Sequence, residues 1–336
     1  YHLADSGWNT VLIERDVLTS GTTWHAAGMI TQLGTTPQIT KIRKYSVKFY
    51  NELSKITGQD TSFRQTGTIN IATSKSRMQE FLRQKSMSKI FNLNIDLIDK
   101  DKFKKLYPIA KNQDVIGGMH IPDDGQADPQ ILTKTIAIAA KKAGAKIFEK
   151  CKLEKILKRN NQIRGVKTNL GIINCEYIVL CAGMWSRQIG EATGVSIPLY
   201  PNEHFYMVTE DYKNLPEILP TFRDPDTYLY IREYHKKIMI GIFEPNAKNA
   251  FKKNGKVPDN FSFGEFKVDK KYTKMLHQLA AKRIPNIKKL NIEKYFSGPE
   301  SFTPDSNFLL GETEEIKNFY VCCGFNSIGI GSGGGA

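Results

Sequence analysis

The sequence contains no uninterrupted apolar run near the roughly 18 residues that a membrane-spanning helix needs, and Tyr1-His2-Leu3-Ala4-Asp5 does not open a signal peptide. A soluble chain with no membrane partner is expected. Cysteine is scarce. Cys151, Cys175, Cys181, Cys322 and Cys323 show neither CxxC spacing nor an even disulfide framework, and three of them fall in apolar runs. They are expected as buried, reduced thiols in a reducing compartment, cytoplasmic in a bacterium or the mitochondrial matrix in a eukaryote. No His or carboxylate cluster has metal-ligand spacing, so no metal is expected. Arginine is sparse as well: of 48 basic residues 11 are Arg and 37 are Lys, against 34 acidic residues, for a net charge of +14. Phosphate and base recognition favour the planar Arg fork, and the Lys are scattered over solvated helix faces. The charge therefore points to a Lys-rich composition and not to a nucleic-acid partner. Internal repeats and low-complexity linkers are absent too.

What is present is a chain of 336 residues, 40% hydrophobic and 24% charged, enough for two compact domains or one two-lobed unit. Helical periodicity covers residues 41–55, 76–91, 100–107 and 272–284. Asp128-Pro129 opens a further helix that ends at Gly144. Strands are expected at 67–73, 117–122, 146–157, 163–169, 172–181 and 319–323, with an aromatic-rich strand region over 198–243. Helix-strand alternation at the ends and middle, with antiparallel insertions between, predicts an α/β fold. In it a nucleotide-binding, Rossmann-like sheet is interleaved with an α+β substrate domain built on a large, mostly antiparallel sheet. The expected division assigns 1–46, 119–197 and 291–336 to the cofactor-binding domain and 47–118 and 198–290 to the substrate domain.

Both ends suggest a piece of a longer chain. Tyr1 enters at once on a helical pattern closed by Gly7, and a short strand, Thr10-Val11-Leu12-Ile13, follows and ends at Glu14. In a dinucleotide-binding fold an acidic residue at this point accepts hydrogen bonds from the adenosine ribose, about 20 residues after a glycine fingerprint that here would precede Tyr1. From these residues alone, a solvent-facing Glu at a strand end is the preferred reading over a nucleotide site.

Four blocks in order carry a family resemblance. They are Glu14-Arg15 with Thr19-Ser20-Gly21-Thr22-Thr23-Trp24-His25-Ala26-Ala27-Gly28; Asp124-Gly125-Gln126-Ala127-Asp128-Pro129; Cys181-Ala182-Gly183-Met184-Trp185-Ser186; and residues 298–305 (GPESFTPD) with 324–330 (GFNSIGI). Together they resemble the FAD-dependent amine oxidoreductases of the D-amino-acid-oxidase superfamily, most closely dimethylglycine and sarcosine dehydrogenases. The glycine fingerprint and the tetrahydrofolate-binding module frequent in that family lie outside these residues, so tetrahydrofolate is expected only with a further C-terminal domain.

The resemblance implies FAD, with His25 of the Trp24-His25 pair bonded covalently to the flavin 8α-methyl carbon. Neutral imidazole is a competent nucleophile, while simple packing of His25 near the ring is the alternative. Ser20, Thr22 and Thr23 offer hydroxyls to the pyrophosphate, and Gly21 and Gly28 allow close backbone approach. Ala182, Gly183 and Trp185 border the adenosine diphosphate, although a tight turn explains Ala182-Gly183 equally. Gly324, Asn326, Gly329 and Ile330 belong to a helix start whose amides face the reduced ring. Glu14 and Arg15 complete the cofactor set.

Oxidising a secondary or tertiary amino acid moves a hydride equivalent from the carbon beside nitrogen to flavin N5. The expected substrate is a small N-methylated glycine derivative, sarcosine or dimethylglycine, with an electron-transfer flavoprotein or oxygen as electron acceptor. His204 matches a family histidine beside the flavin and is expected to take or relay the ammonium proton. Tyr228, Tyr230 and Arg232 alternate along a strand and are expected on one face. There Tyr230 would bind the amine or carboxylate and Arg232 would fork to the carboxylate. Core packing is the alternative for Tyr228. The other functional alternatives are a same-fold oxidase of another amine with noncovalent FAD, and a catalytically silent binding subunit.

Overall fold

The strands after Pro198 carry apolar and aromatic runs that are buried on both faces, and they assemble into the largest element of the molecule. The computed structural model describes residues 1–252 and 254–336. Its main sheet has eight strands in the order Ile292–Phe302, Tyr200–Thr209, Lys237–Ile242, Leu229–Tyr234, Thr221–Asp224, Thr68–Ala72, Gly117–Ile121 and Asp96–Ile98. Every neighbouring pair is antiparallel except Thr221–Asp224 with Thr68–Ala72. The large, mostly antiparallel sheet expected from the sequence is therefore present. Its strands Gly117–Ile121 and Ile292–Phe302 lie across or just beyond the expected boundaries at 118/119 and 290/291.

The two faces of this sheet do different things. One carries Phe205, Met207, Phe222, Ile231 and Ile240 into the main core, under helices Lys100–Leu106 and Lys270–Arg283. Each such side chain contributes about 1.5–3 kcal/mol on burial. The opposite face carries Tyr206, Tyr230, Met239 and Phe296 and meets Trp24, Ala27 and Met29 from the first 30 residues. That second face is where polar groups collect.

Two long helices pack beside it around Ile30, Val47, Leu53, Leu132 and Ala139. Helix Pro37–Thr57 starts where the Thr36 side chain accepts from the Ile39 amide at 3.2 Å, and it stops at Gly58 with φ 74°. Helix Pro129–Lys142 is capped by Asp128, which accepts from the Gln130 and Ile131 amides at 2.8 and 3.0 Å. Expected and observed starts coincide there because the Asp-Pro pair is itself the cap.

The nucleotide-type part is made of short parallel pairs. Val11–Ile13 pairs with Lys146–Phe148, and Ile178–Leu180 pairs with Phe319–Cys323, which also takes antiparallel Leu309–Glu312. Trp8 and Tyr177, which precede the first strand of each pair, meet edge to face with ring centroids 5.4 Å apart. Val11, Leu12 and Val179 remain exposed along these ladders.

Several expectations are corrected. The strand expected over 146–157 breaks into Lys146–Phe148 and Leu153–Arg159, because Lys150 turns left-handed (φ 55°) and donates its amide to the Asp16 carbonyl at 2.7 Å. The strand expected over 172–181 divides into Gly171–Asn174, which closes a meander with Gln162–Thr168, and Ile178–Leu180, which joins another sheet. Of the five thiols, all free, only Cys151 and Cys323 are buried; Cys175 and Cys322 are half-buried and Cys181 is exposed.

Candidate active site

His25 ends the three-residue helical turn Thr23–His25, which closes when the Ala26 amide donates to the Thr23 carbonyl at 3.1 Å. The turn drives two aromatic rings against the main sheet. Trp24 meets Phe296 edge to face at 5.3 Å, and the His25 ring packs on Phe296 at 4.8 Å. His25 is 4% exposed, and its Nε2 is buried without a hydrogen-bond partner. Burial pushes its pKa down to about 4, so the imidazole is neutral at physiological pH.

Gly298 separates His25 from the next functional group. It pairs in register with His204, and a Cβ there would stand 2.6 Å from the Phe296 ring and 3.1 Å from His25 Nε2. A side chain would fill the space between the two imidazoles. His204 Nε2 lies 2.8 Å from the Tyr230 hydroxyl, and the rings stack, with Phe243 4.7 Å from the His204 ring. Burial, then the neighbouring His25, brings the His204 pKa down to about 3. Burial and the Glu300 carboxylate hold the Tyr230 phenol well above its ordinary value, so it stays protonated and able to donate.

Tyr230 reaches His204 by crossing an intervening strand. Tyr230 pairs with Gly241, which pairs in turn with Tyr206, and the phenol ring lies where a Gly241 Cβ would be. Only glycine leaves that path open.

Arg232 is brought to the same face but is engaged by the protein. Its Nη1 donates to the Ala127 carbonyl at 2.9 Å, its guanidinium lies over Tyr234 at 5.2 Å, and its Nε is buried without a partner. Gly28 (φ 68°) serves this contact: a Cβ there would strike the Ala127 carbonyl and come within 2.7 Å of Arg232 Nη1. Close packing of backbone on backbone accounts for that glycine without a cofactor. Tyr228 does not share the face as expected. It precedes strand Leu229–Tyr234 with φ 59° and is 50% exposed, because it belongs to the turn.

Three charged residues here were not foreseen. Arg223 pairs with Tyr230, so both side chains leave the sheet on one side. Asp124 is fully buried, and its Oδ1 accepts from the Gln32 amide at 2.8 Å. Burial raises its pKa to about 6 against the opposing pull of the Gln32 amide and Arg43. Arg43 donates to the Leu33 carbonyl at 2.8 Å, and burial, then Arg223, lowers it to about 10. The Nε atoms of Arg43 and Arg223 are buried without partners. Two guanidinium groups beside one carboxylate leave a surplus positive charge, suited to an anion. The sole sequence signal was Asp124, inside a quoted block; the two arginines come from distant segments with no shared spacing.

The expected cofactor residues collect at the carboxyl ends of the parallel strands, where ligands of open α/β sheets bind. Glu14 and Arg15 follow Val11–Ile13, Ala182 and Gly183 follow Ile178–Leu180, and Gly324 follows Phe319–Cys323. Glu14 accepts from the Asp16 amide at 2.8 Å, and burial raises its pKa. Arg15 donates to the Phe261 carbonyl at 2.7 Å and lies over Trp185 at 4.3 Å. Ser20 is buried, and its carbonyl accepts from the Phe263 amide at 2.8 Å; Thr22 and Thr23 begin the His25 turn. Asn326 ties the 303 and 324 loops together, accepting from the Thr303 amide at 2.8 Å and donating to the Gly324 carbonyl at 2.6 Å. Gly329 and Ile330 start the short helix Gly329–Ser332, whose Ile330 carbonyl accepts from Tyr50 at 2.8 Å.

This geometry is that of a dinucleotide-binding α/β fold. The FAD dependent oxidoreductase family matches residues 1–336, and the chain belongs to it. Over 331 residues it is 34% identical to 4-methylaminobutanoate oxidase (formaldehyde-forming) of Paenarthrobacter nicotinovorans, covering 98% of this chain and 40% of that protein. Over 342 residues it is 35% identical to human mitochondrial sarcosine dehydrogenase, covering 100% of this chain and 37% of that protein. The chain thus spans about two-fifths of the length of these relatives. Among solved structures, L-proline dehydrogenase from P. horikoshii superposes with a TM-score of 0.89 at 27% identity, over 99% of this chain and 86% of that one.

Family membership implies FAD, and the residues fit it. Of the expected cofactor residues, His25 Nε2 and Trp185 Nε1 are buried polar atoms without protein partners, as are Trp24 Nε1 beside His25 and Ser332 Oγ in the Gly329–Ser332 helix. Gly298 provides a cradle that a Cβ would fill. Among the described residues no helix is long and apolar enough to cross a membrane, and no cluster of ligating side chains could hold a metal.

Proposed function

We propose that this chain is the FAD-binding part of an enzyme that oxidises N-methylated glycine derivatives, sarcosine or dimethylglycine, with the cofactor attached through His25. One observation carries the proposal: the Tyr230–His204 pair faces His25 across the side-chain-free Gly298. The unpartnered, neutral Nε2 of His25 supports the covalent link. Bound FAD would supply the two-electron acceptor.

The protein's part is to bind and orient. The protonated Tyr230 hydroxyl holds the substrate beside His204, and His204 relays a proton through its bond to Tyr230. Arg232, assisted by the surplus charge of Arg43 and Arg223, holds the carboxylate. The iminium product would release formaldehyde with water, or pass a methylene group to tetrahydrofolate where a further domain provides it. Electrons would leave to an electron-transfer flavoprotein or to oxygen.

Similarity to a 4-methylaminobutanoate oxidase supports a second reading, in which a longer N-methylamino acid fills the same site. The test uses the full-length gene product mixed anaerobically with sarcosine, dimethylglycine, 4-methylaminobutanoate and proline. Bleaching by sarcosine or dimethylglycine is expected; bleaching only by one of the other two moves the substrate assignment, and no bleaching removes it. Acid-precipitated protein should stay yellow, and His25→Ala should give a colourless pellet. A colourless wild-type pellet would refute the link.

A further inference from the structure

The wall that holds His204 and Tyr230 contains one more ionisable group. Glu300 pairs with Asn202, two positions from the Gly298–His204 pair, so its side chain leaves the sheet on the same face as His204, one diagonal step away. Its Oε2 is enclosed and has no hydrogen-bond partner. No cation or donor offsets its burial, which alone moves its pKa up to about 7. Glu300 is half-buried, and an enclosed carboxylate oxygen without a partner is costly unless a ligand completes it. The charged and titratable groups on this face are Lys294 on the same strand, which pairs with Glu265, His204 and Tyr206 from one neighbouring element, Tyr230, Arg232 and Tyr234 from another, Arg223 beyond them, and His25 across Gly298.

We propose that Glu300 binds the ammonium group of the substrate and accepts its proton, which makes the site selective for amines that arrive as cations. The proposal rests on the amine-oxidising function given above. In this step one substrate N–H bond breaks, an O–H bond forms on Glu300, and the electron pair stays on nitrogen, which is the form of the amine that bound FAD would oxidise. Proton affinities favour Glu300 as the resting place of the proton. Burial raises the proton affinity of Glu300 and lowers that of His204, so an ammonium proton leaves more readily to Glu300. His204 Nε2 is also occupied by Tyr230. His204 can therefore relay the proton without keeping it.

The test uses full-length, FAD-loaded protein and Glu300→Gln, which keeps size and removes charge, with Glu300→Asp as a charge-retaining control. Betaine, a quaternary amine with no proton to lose, is titrated against the flavin absorption spectrum. Its affinity should fall by roughly tenfold or more in Glu300→Gln and be largely kept in Glu300→Asp. The pH profile of flavin bleaching by dimethylglycine should lose its ionisation near neutrality in Glu300→Gln and approach wild type at high pH, where the amine is already neutral. Equal betaine affinity in wild type and Glu300→Gln overturns the proposal. Charge-dependent betaine binding without bleaching by any amine would leave the cation site standing while the proposed function falls.

Discussion

The Tyr230 hydroxyl meets His204 Nε2 at 2.8 Å although their strands are not neighbours; strand Lys237–Ile242 runs between them, and the phenol crosses it at Gly241. Gly241→Ala should therefore displace the ring, cost about 1–3 kcal/mol by overpacking, and slow amine-driven flavin bleaching in the full-length protein by roughly a hundredfold. Tyr230→Phe, which removes only the hydroxyl, should keep its thermal midpoint closer to wild type. Thermal denaturation beside stopped-flow bleaching checks both, and a Gly241→Ala protein with native kinetics would contradict the crossing.

The two neutral imidazoles make stability fall in acid. For a histidine whose folded pKa is depressed, the unfolded chain binds the extra proton first. Stability is then complete above the unfolded value near 6.5 and is lost as pH falls towards about 4 for His25 and about 3 for His204. In His204→Gln, urea unfolding between pH 7 and pH 4 should show a shallower loss of stability than wild type. An unchanged slope would mean that His204 titrates normally.

Arg283 closes helix Lys270–Arg283 and joins it to the sheet. It forks to Asp114 at 3.0 Å through both terminal nitrogens and donates to the buried Asp224 at 3.1 Å. Arg283→Met would leave Asp224 buried without its cation and should cost about 3–5 kcal/mol. Adding Asp224→Asn should restore part of the loss in urea melts; additive losses would show that the two side chains are not coupled.

Features fixed by local chemistry were legible in the sequence. The Asp128-Pro129 cap, the apolar rhythm of Pro37–Thr57 and the aromatic-rich strand region after Pro198 each contain their own instruction. The breaks at Lys150 and after Asn174 were not, because apolar residues continue past them and the turns are set by partners far along the chain, such as the Asp16 carbonyl. At the site, His25, His204 and Tyr230 could be named from short blocks. Their mutual arrangement could not, since it depends on Gly241 and Gly298, whose role is to have no side chain. Arg43, Asp124 and Arg223 stayed hidden for the same reason: a buried charge cluster drawn from three distant segments leaves no periodic trace.

The short parallel pairs near the cofactor residues have a dynamic consequence. Val11–Ile13 and Lys146–Phe148 share only three paired positions, whereas the eight-stranded sheet is sealed by a continuous core. Amide deuteration should sweep through Val11–Ile13 and Ile178–Leu180 long before it reaches Phe205 or Ile240, so this region opens by local fluctuation while the sheet stays closed. A bound dinucleotide across those strand ends would act as their clamp, and its grip would show as slowed exchange there first.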